Sequence, residues 1–249
     1  MIQSVDRALG ILCLFSRNVR ELGVTEIGQH MDLPKSTVHG LVKTLEKRGF
    51  LTQNPQNGKY RLGLKVYELG MTYSAAVELQ DVAKHVAEKL CDKCQESVHM
   101  AIYAGGMAVF ILKVEPMGNL VVFPRVGASV PAHATGVGKV LLAYSEEEEV
   151  NKYVERGLFA LTRNTITDPM VLRAELKRVR DQGYAVDNEE ALIGVSCVAA
   201  PIRDQSQGVV AALSLSGASY RIRGERFAAL VKEVKEAADE ISRMLGYWL

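Results

Sequence analysis

The sequence predicts an α+β chain in two parts. A small helical head is closed by a β-hairpin, and a larger domain joins an antiparallel or mixed sheet to flanking helices. Three observations predict it. Apolar residues recur at helical spacing from about residue 4 to residue 47, then give way to a strand–turn–strand pattern up to residue 63. Beyond residue 95, about six strand-like segments alternate with helical ones and some adjoin as hairpins, which favours α+β over a purely parallel sheet. The charge divides in the same way. Residues 1–75 carry 10 Lys and Arg against 6 Asp and Glu, the remainder 20 against 23, although the whole chain is only +1. A basic head on an acidic body suits a head that meets nucleic acid and a body that does not.

In the head, Ser4 is placed to cap a helix whose apolar residues are Leu9, Leu12, Cys13 and Phe15. Polar residues and glycine break it at Asn18–Gly23. Thr25 is the expected N-cap of a short helix through Met31, with Glu26 in its first turn. A tight Asp32-Leu33 connection leads to Pro34, whose missing N–H costs nothing at a helix start. The third helix, KSTVHGLVKTLEKRG, turns Val38, Leu41, Val42 and Leu45 to one face and stops at Gly49. Its other face presents Lys35, Ser36, Thr37, His39, Gly40 and Lys43. Short hydrogen-bonding groups near a helix start can meet base edges in the major groove, and lysines beside them can meet phosphates. The next segment, GFLTQNPQNGKYRLG, reads as strand, turn and strand, with Lys59 and Arg61 on the second strand. Helix, short helix, tight turn, amphipathic helix and basic hairpin follow the order of a winged helix-turn-helix. The expected divisions are 1–63 for this DNA-binding head, 64–76 for a helical linker, and 77–249 for the larger second domain.

The linker rests on Leu64, Tyr67, Leu69, Met71 and Ala75-Ala76; a helical connection can transmit motion that a flexible one cannot. A further amphipathic helix sets Leu79, Val82, Val86, Leu90 and Cys94 in register. SVHMAIYAGG and MAVFILKVE then read as a hairpin, and NLVVFPRVG as another strand. HATGVGKVLLAYS opens a helix, and helical patterns recur near 146–156 and 169–182. Three strands follow in YAVDNEE, GVSCVAAPIRD and GVVAALSLSG, and a helix closes the chain from about 226 to 245. Thr135 and Gly136 precede a helix whose free N–H groups and dipole can hold an anion. Ser214 and Ser216 are two apart on a strand, so their hydroxyls share a face and suit a polar ligand or a backbone partner.

The stretch VTEIGQHMDLPKSTVHGLVKTLEKRGFL, with the wing and the G-x-K-x-x-x-L-G of Gly63 to Gly70, resembles the DNA-binding half of the IclR family of bacterial regulators. The blocks AHATGVGKVLLA, DNEEALIGVSCVAAPI and ALSLSG resemble its effector domain, which is related to GAF sensor folds, so the resemblance spans nearly the whole chain. It implies one pocket for a small, often carboxylate-bearing metabolite, lined by Thr135, Gly136, Asp187, Cys197, Ser214 and Ser216. One departure is Gly40, where many members carry a long or basic residue.

Composition excludes other classes. No apolar run approaches the roughly 20 residues of a membrane span, and the N-terminus lacks the signature of a signal peptide. Four scattered cysteines form no disulfide framework, so a cytoplasmic protein without membrane contact is expected. Gly136-Val137-Gly138-Lys139 lacks both the distal glycine and the Ser or Thr of a phosphate-binding loop. Cys91-x-x-Cys94 has no second pair, so no metal or cofactor is expected, and Cys197 within an apolar strand is a core or pocket residue rather than a nucleophile. The reading is a regulator binding a pseudo-palindromic double-stranded operator as a homodimer or dimer of dimers, modulated by a small-molecule effector. Two alternatives stay open: a small-molecule enzyme with a DNA-binding appendage, and a DNA-binding protein whose second domain only dimerises.

Overall fold

The computed structural model describes residues 2–16, 19–72, 74–117 and 124–247, with the side chains of 71–78 excepted. The chain divides into two compact units, Met1–Val77 and Glu78–Leu249.

The first unit contains helices α1 (Gln3–Cys13), α2 (Val24–Met31) and α3 (Lys35–Lys47), strands β1 (Leu51–Gln53) and β2 (Tyr60–Leu62), and helix α4 (Leu64–Thr72). Its core is Ile11, Leu22, Ile27, Val38, Val42, Leu45, Leu51 and Tyr60. Three expectations are corrected here. Ser4 does not cap α1; Ile2 holds the N-cap position and Ser4 lies inside the helix. The buried residue of α1 is Ile11, while Leu9 and Cys13 are exposed, because the helix contacts its unit along a narrower stripe than its apolar content suggested. Thr25 does not cap α2 either. Gly23 occupies the cap position, and its N–H donates to the Glu26 carboxylate at 2.6 Å, so Glu26 satisfies an orphan donor directly. The turn into α3 is as expected: Asp32 takes a left-handed conformation (φ 52°), and Pro34 precedes the first helical residue. Gly49 follows α3 at φ +79°, where a side chain would be strained. Strands β1 and β2 pair antiparallel, and Leu22 bridges Tyr60 to tie the α1–α2 loop to the hairpin.

The second unit is built on α5 (Ser74–Cys94), which begins at the end of the first unit. Strands β3 (Ser97–Ala104), β4 (Met107–Val114), β5 (Ser129–Pro131), β6 (Ala185–Asn188), β7 (Val195–Arg203) and β8 (Val209–Ala218) form one sheet in the order β5-β4-β3-β8-β7-β6. Every pairing in it is antiparallel. Helices α6 (Gly136–Ala143), α7 (Glu147–Glu155) and α8 (Pro169–Gln182) contribute to a core on one face. Helix α5 and α10 (Phe227–Met244) contribute to the core on the other, with the short α9 (Ser219–Ile222) between β8 and α10. The central strands are buried on both faces, which is why they read as nearly continuous apolar runs rather than as alternation.

Helix α8 shows how local chemistry sets an element. Asp168 accepts from the N–H groups of Met170 and Val171 at 2.7 and 3.1 Å, Pro169 fills the first helical position, and Gly183 ends the helix at φ +75°. The strand expected at 119–127 lies largely outside the described residues, and Pro124–Gly127 is not strand. On its side away from β3, β4 pairs with β5. Among the described residues, no helix is long and apolar enough to cross a membrane.

Candidate functional site

Helix α3 of the first unit buries Val38, Val42 and Leu45 and half-buries Leu41, so its opposite face is turned to solvent. Lys35, Ser36, His39, Gly40 and Lys43 are exposed there and Thr37 is half-buried. A Cβ added to Gly40 would meet nothing within 4 Å, so glycine at this position answers no packing need of the free protein. Two cations are already engaged. The Lys43 ammonium donates to Glu46 at 2.8 Å and stands 5.9 Å from the centre of the Tyr60 ring. Lys59 donates to Glu26 at 2.8 Å, which keeps that carboxyl below its usual range while it also holds the Gly23 amide. Arg61 lies exposed on β2, and Thr44 turns its hydroxyl back to the Gly40 carbonyl at 2.9 Å. The result is an exposed polar face on α3 with cations at its start and middle, and further cations on the wing.

The second unit holds a cavity between the sheet and α6. Thr135, Asp187, Cys197, Ser214 and Ser216 line it together with apolar Phe110, Pro124, Val137, Ala191, Leu192 and Val195. It encloses about 380 Å³ with its mouth included, of which about 30 Å³ admits the centre of a water molecule. Five polar residues drawn from positions 135 to 216 of the sequence thus share one space. The sixth expected residue, Gly136, is not in the wall itself. A Cβ there would come within 2.7 Å of the Cys197 sulfur, so glycine lets α6 sit against β7.

Each side chain is held by local structure. Thr135 caps α6, its Oγ1 accepting from the Gly138 N–H at 3.0 Å, so its hydroxyl serves the helix first. Gly138 packs even more closely, since a Cβ would meet the Ala132 carbonyl oxygen at 2.2 Å. Asp187 accepts from the Glu190 N–H at 2.7 Å, yet burial pushes its carboxyl up to about 7. Cys197 is pushed up to about 12 by burial and then by Asp187, which leaves it a thiol. His133 is held by the Tyr153 hydroxyl at 2.6 Å and the Phe159 carbonyl at 3.0 Å, so it forms no nucleophile–base pair with that thiol.

Sequence reasoning missed the apolar half of the wall, because Phe110, Leu192 and Val195 carry no mark that separates them from core residues. It also passed over Lys139 as a pocket-block cation. That ammonium is 1% exposed and donates to Glu190 at 2.6 Å, with Glu175 at 3.7 Å. The ion pair joins α6 to the β6–β7 loop beside Asp187. A polar residue in an otherwise apolar helix, VGKVLLA, was the available signal.

Two family models match the chain. The model described as the IclR helix-turn-helix domain covers residues 4–55, and the one described as the bacterial transcriptional regulator IclR C-terminal domain covers residues 71–243. The chain is 39% identical to the HTH-type transcriptional regulator XynR of Escherichia coli, over 99% of this chain and 98% of XynR. It is 36% identical to the HTH-type transcriptional repressor AllR of Salmonella typhi, over 98% of this chain and 90% of that protein. Among solved structures, an IclR homologue from Microbacterium hydrocarbonoxydans complexed with 4-hydroxybenzoate superposes with a TM-score of 0.86 at 26% identity, covering 98% of this chain and 99% of the other. The Thermotoga maritima IclR superposes with a TM-score of 0.74 at 33% identity, covering 99% and 100%. Helix-turn-helix head and sheet domain alike, this chain belongs to the IclR family of bacterial transcriptional regulators, and its work is regulation rather than enzyme catalysis.

Proposed function

We propose that this regulator reads an operator near its own gene through α3 and the wing, and that a small carboxylic acid bound in the α6 cavity modulates that binding. In this reading residues 1–63 are the DNA-binding head, 64–76 the link, and 77–249 the sensing and oligomerising domain. Lys35, Lys43, Lys59 and Arg61 contact phosphates, while Ser36, Thr37 and His39 meet base edges and Gly40 allows close backbone approach. Thr135, Asp187, Cys197, Ser214 and Ser216 surround the effector, and Gly136 lets α6 close against β7 beside it.

The single observation that carries the proposal is the convergence of five polar residues on one cavity beside the start of α6. A helix start offers N–H groups and the positive end of a dipole to a carboxylate. The Microbacterium relative holds a small hydroxylated aromatic acid, which supports the same ligand class here. Because the cavity is narrow, an acid of ten or so heavy atoms binds only the conformation in which the wall has moved outwards. That preference is the differential affinity a switch requires.

Pairing of two chains is supported by apolar surface on the first unit. Ile2, Val5 and Leu9 are 70%, 52% and 57% exposed at successive turns of the start of α1, and Leu64 and Tyr67 are exposed on α4. Exposed apolar residues at successive turns of one helix mark an interaction site, and a second copy is the partner that gives two recognition helices to a pseudo-palindrome.

The test is a thermal-shift titration of the full chain with small keto, hydroxy and aromatic carboxylic acids, paired with binding to a DNA fragment from upstream of its gene. An acid that raises the melting temperature saturably and also changes DNA affinity supports the reading. If no acid does either, the carboxylate-effector reading fails, and the alternative of a second domain that only dimerises gains.

A further inference from the structure

Two polar residues on the cavity side of the sheet are left unused by the effector reading. The ladder sets Ser97 opposite Ser216, Ser216 opposite Cys197, and Cys197 opposite Asp187. The next row on the same face sets His99 opposite Ser214 and Ser214 opposite Ala199. Directly opposed residues project to one face of a sheet, so Ser97 and His99 extend two rows whose neighbouring members line the cavity. The His99 ring stands edge-on to Phe110 at a centroid distance of 5.8 Å, and Phe110 and Ser214 are both cavity walls.

Ser97 and His99 are 1% and 0% exposed. The Ser97 hydroxyl and both His99 ring nitrogens have no hydrogen-bond partner among the described residues. Three buried polar atoms without partners in so small a region are costly, and native proteins rarely keep them without a use. The ring is neutral, since burial and then the charge of Lys113, opposite it on β4, hold it down to about 3. Lys113 itself pairs with Glu115 at 2.8 Å, so its charge is already spoken for.

We propose that Ser97 and His99 are ligand-contacting residues that form the inner wall of the effector site, where they receive the hydroxyl group of a small hydroxycarboxylic acid. This rests on the effector reading above and adds to it which acid is preferred. A neutral imidazole offers one N–H donor and one bare nitrogen, and a serine hydroxyl can give or accept. An alcohol serves two of the three atoms, since its O–H donates to the bare nitrogen and its oxygen accepts from the serine. A carboxylate brings acceptors only, and a methyl group would leave all three atoms orphaned. The acid group then lies toward Thr135 and the α6 amides, at the other end of the cavity.

The experiment compares the full-length wild type with His99→Leu and Ser97→Ala, by calorimetric titration and thermal shift. The probes are matched acids that differ by one hydroxyl: 4-hydroxybenzoate and benzoate, 3-hydroxybutyrate and butyrate, glycolate and acetate. The wild type is expected to bind one hydroxylated acid at least about tenfold more tightly than its partner, the ratio that one good hydrogen bond supplies. Both variants should lose most of that ratio while keeping their affinity for the unhydroxylated acid. Without ligand, Ser97→Ala should melt no lower than wild type, because its hydroxyl has no partner to lose; this variant decides the matter if leucine misfits at 99. Acid binding with no hydroxyl preference, or a preference that survives in both variants, overturns this inference and leaves the effector reading standing. So does a ligand-free Ser97→Ala that melts well below wild type, since the hydroxyl would then be structural. Failure of every acid to bind the wild type removes both.

Discussion

Replacing Asp187 with asparagine should make the second unit more stable, and only above acidic pH. The carboxyl is 5% exposed and its value is pushed up from 3.8 to about 7, mainly by burial. The Glu190 amide and the Lys139 charge pull the other way and are outweighed. A shift of about three pH units, at roughly 1.4 kcal/mol each, means that holding this carboxylate charged costs about 4 kcal/mol. The sign follows from linkage. The folded state binds the proton more tightly than the unfolded chain, so the group penalises folding least below pH 3.8. Its penalty grows as pH rises to about 7 and is constant beyond that. Asparagine carries no charge at any pH, yet its amide oxygen can still accept from the Glu190 N–H, now at 2.7 Å. Relaxation of the wall reduces the effect, so a gain of about 2–4 kcal/mol above pH 7.5 is expected, shrinking towards zero near pH 4. Urea unfolding of wild type and Asp187→Asn at half-unit pH steps measures it, and subtracting the two curves cancels every other titrating group. A difference that stays flat across pH 4–8, or grows on acidification, would refute the reasoning and mean that Asp187 is an ordinary ionised carboxylate.

The same group predicts how effector affinity depends on pH. An anion bound beside Asp187 favours its protonated form, so acid binding should weaken as pH rises through about 7, and titration calorimetry should find the dependence gone in Asp187→Asn. Gly40→Ala should stabilise the first unit by about 1 kcal/mol in thermal melts, since the added methyl meets nothing within 4 Å and removes helix entropy cost; destabilisation would show that the position is packed. Lys35→Ala and Arg61→Ala should each weaken DNA binding on all sequences and lower the salt slope by about one, whereas Ser36→Ala should relax sequence preference, as fluorescence anisotropy at several salt concentrations would reveal. Lys139→Ala should destabilise the second unit by about 3–5 kcal/mol in chemical denaturation by stranding Glu190, and Lys139→Met with Glu190→Gln should recover most of it.

Whatever depends on neighbours a few residues apart is legible along the chain. The helices at 35–47 and 169–182 carry their own start and stop chemistry in Pro34, Gly49, Asp168 and Gly183, and the wing carries its turn in Asn54 to Gly58. Ser214 and Ser216 share a face by strand period alone. The resemblance then brought Asp187, Cys197 and Thr135 into one site, where the cavity gathers them. Whatever depends on pairing and burial between distant segments is set by the folded arrangement. That Ile11 rather than Leu9 is buried depends on where the rest of the head meets α1, and Gly23 caps α2 because Glu26 folds back onto it. Strand β5 exists because β4 offers it an edge, not because three residues of SVP specify a strand. The Lys139–Glu190 pair spans 51 positions, and Ser97 lies in the Asp187 row only because β3 pairs with β8 in that register. Periodicity fixes which face a residue takes on its own strand, but register is set by the partner strand, and a slip of one residue would turn His99 away from the cavity.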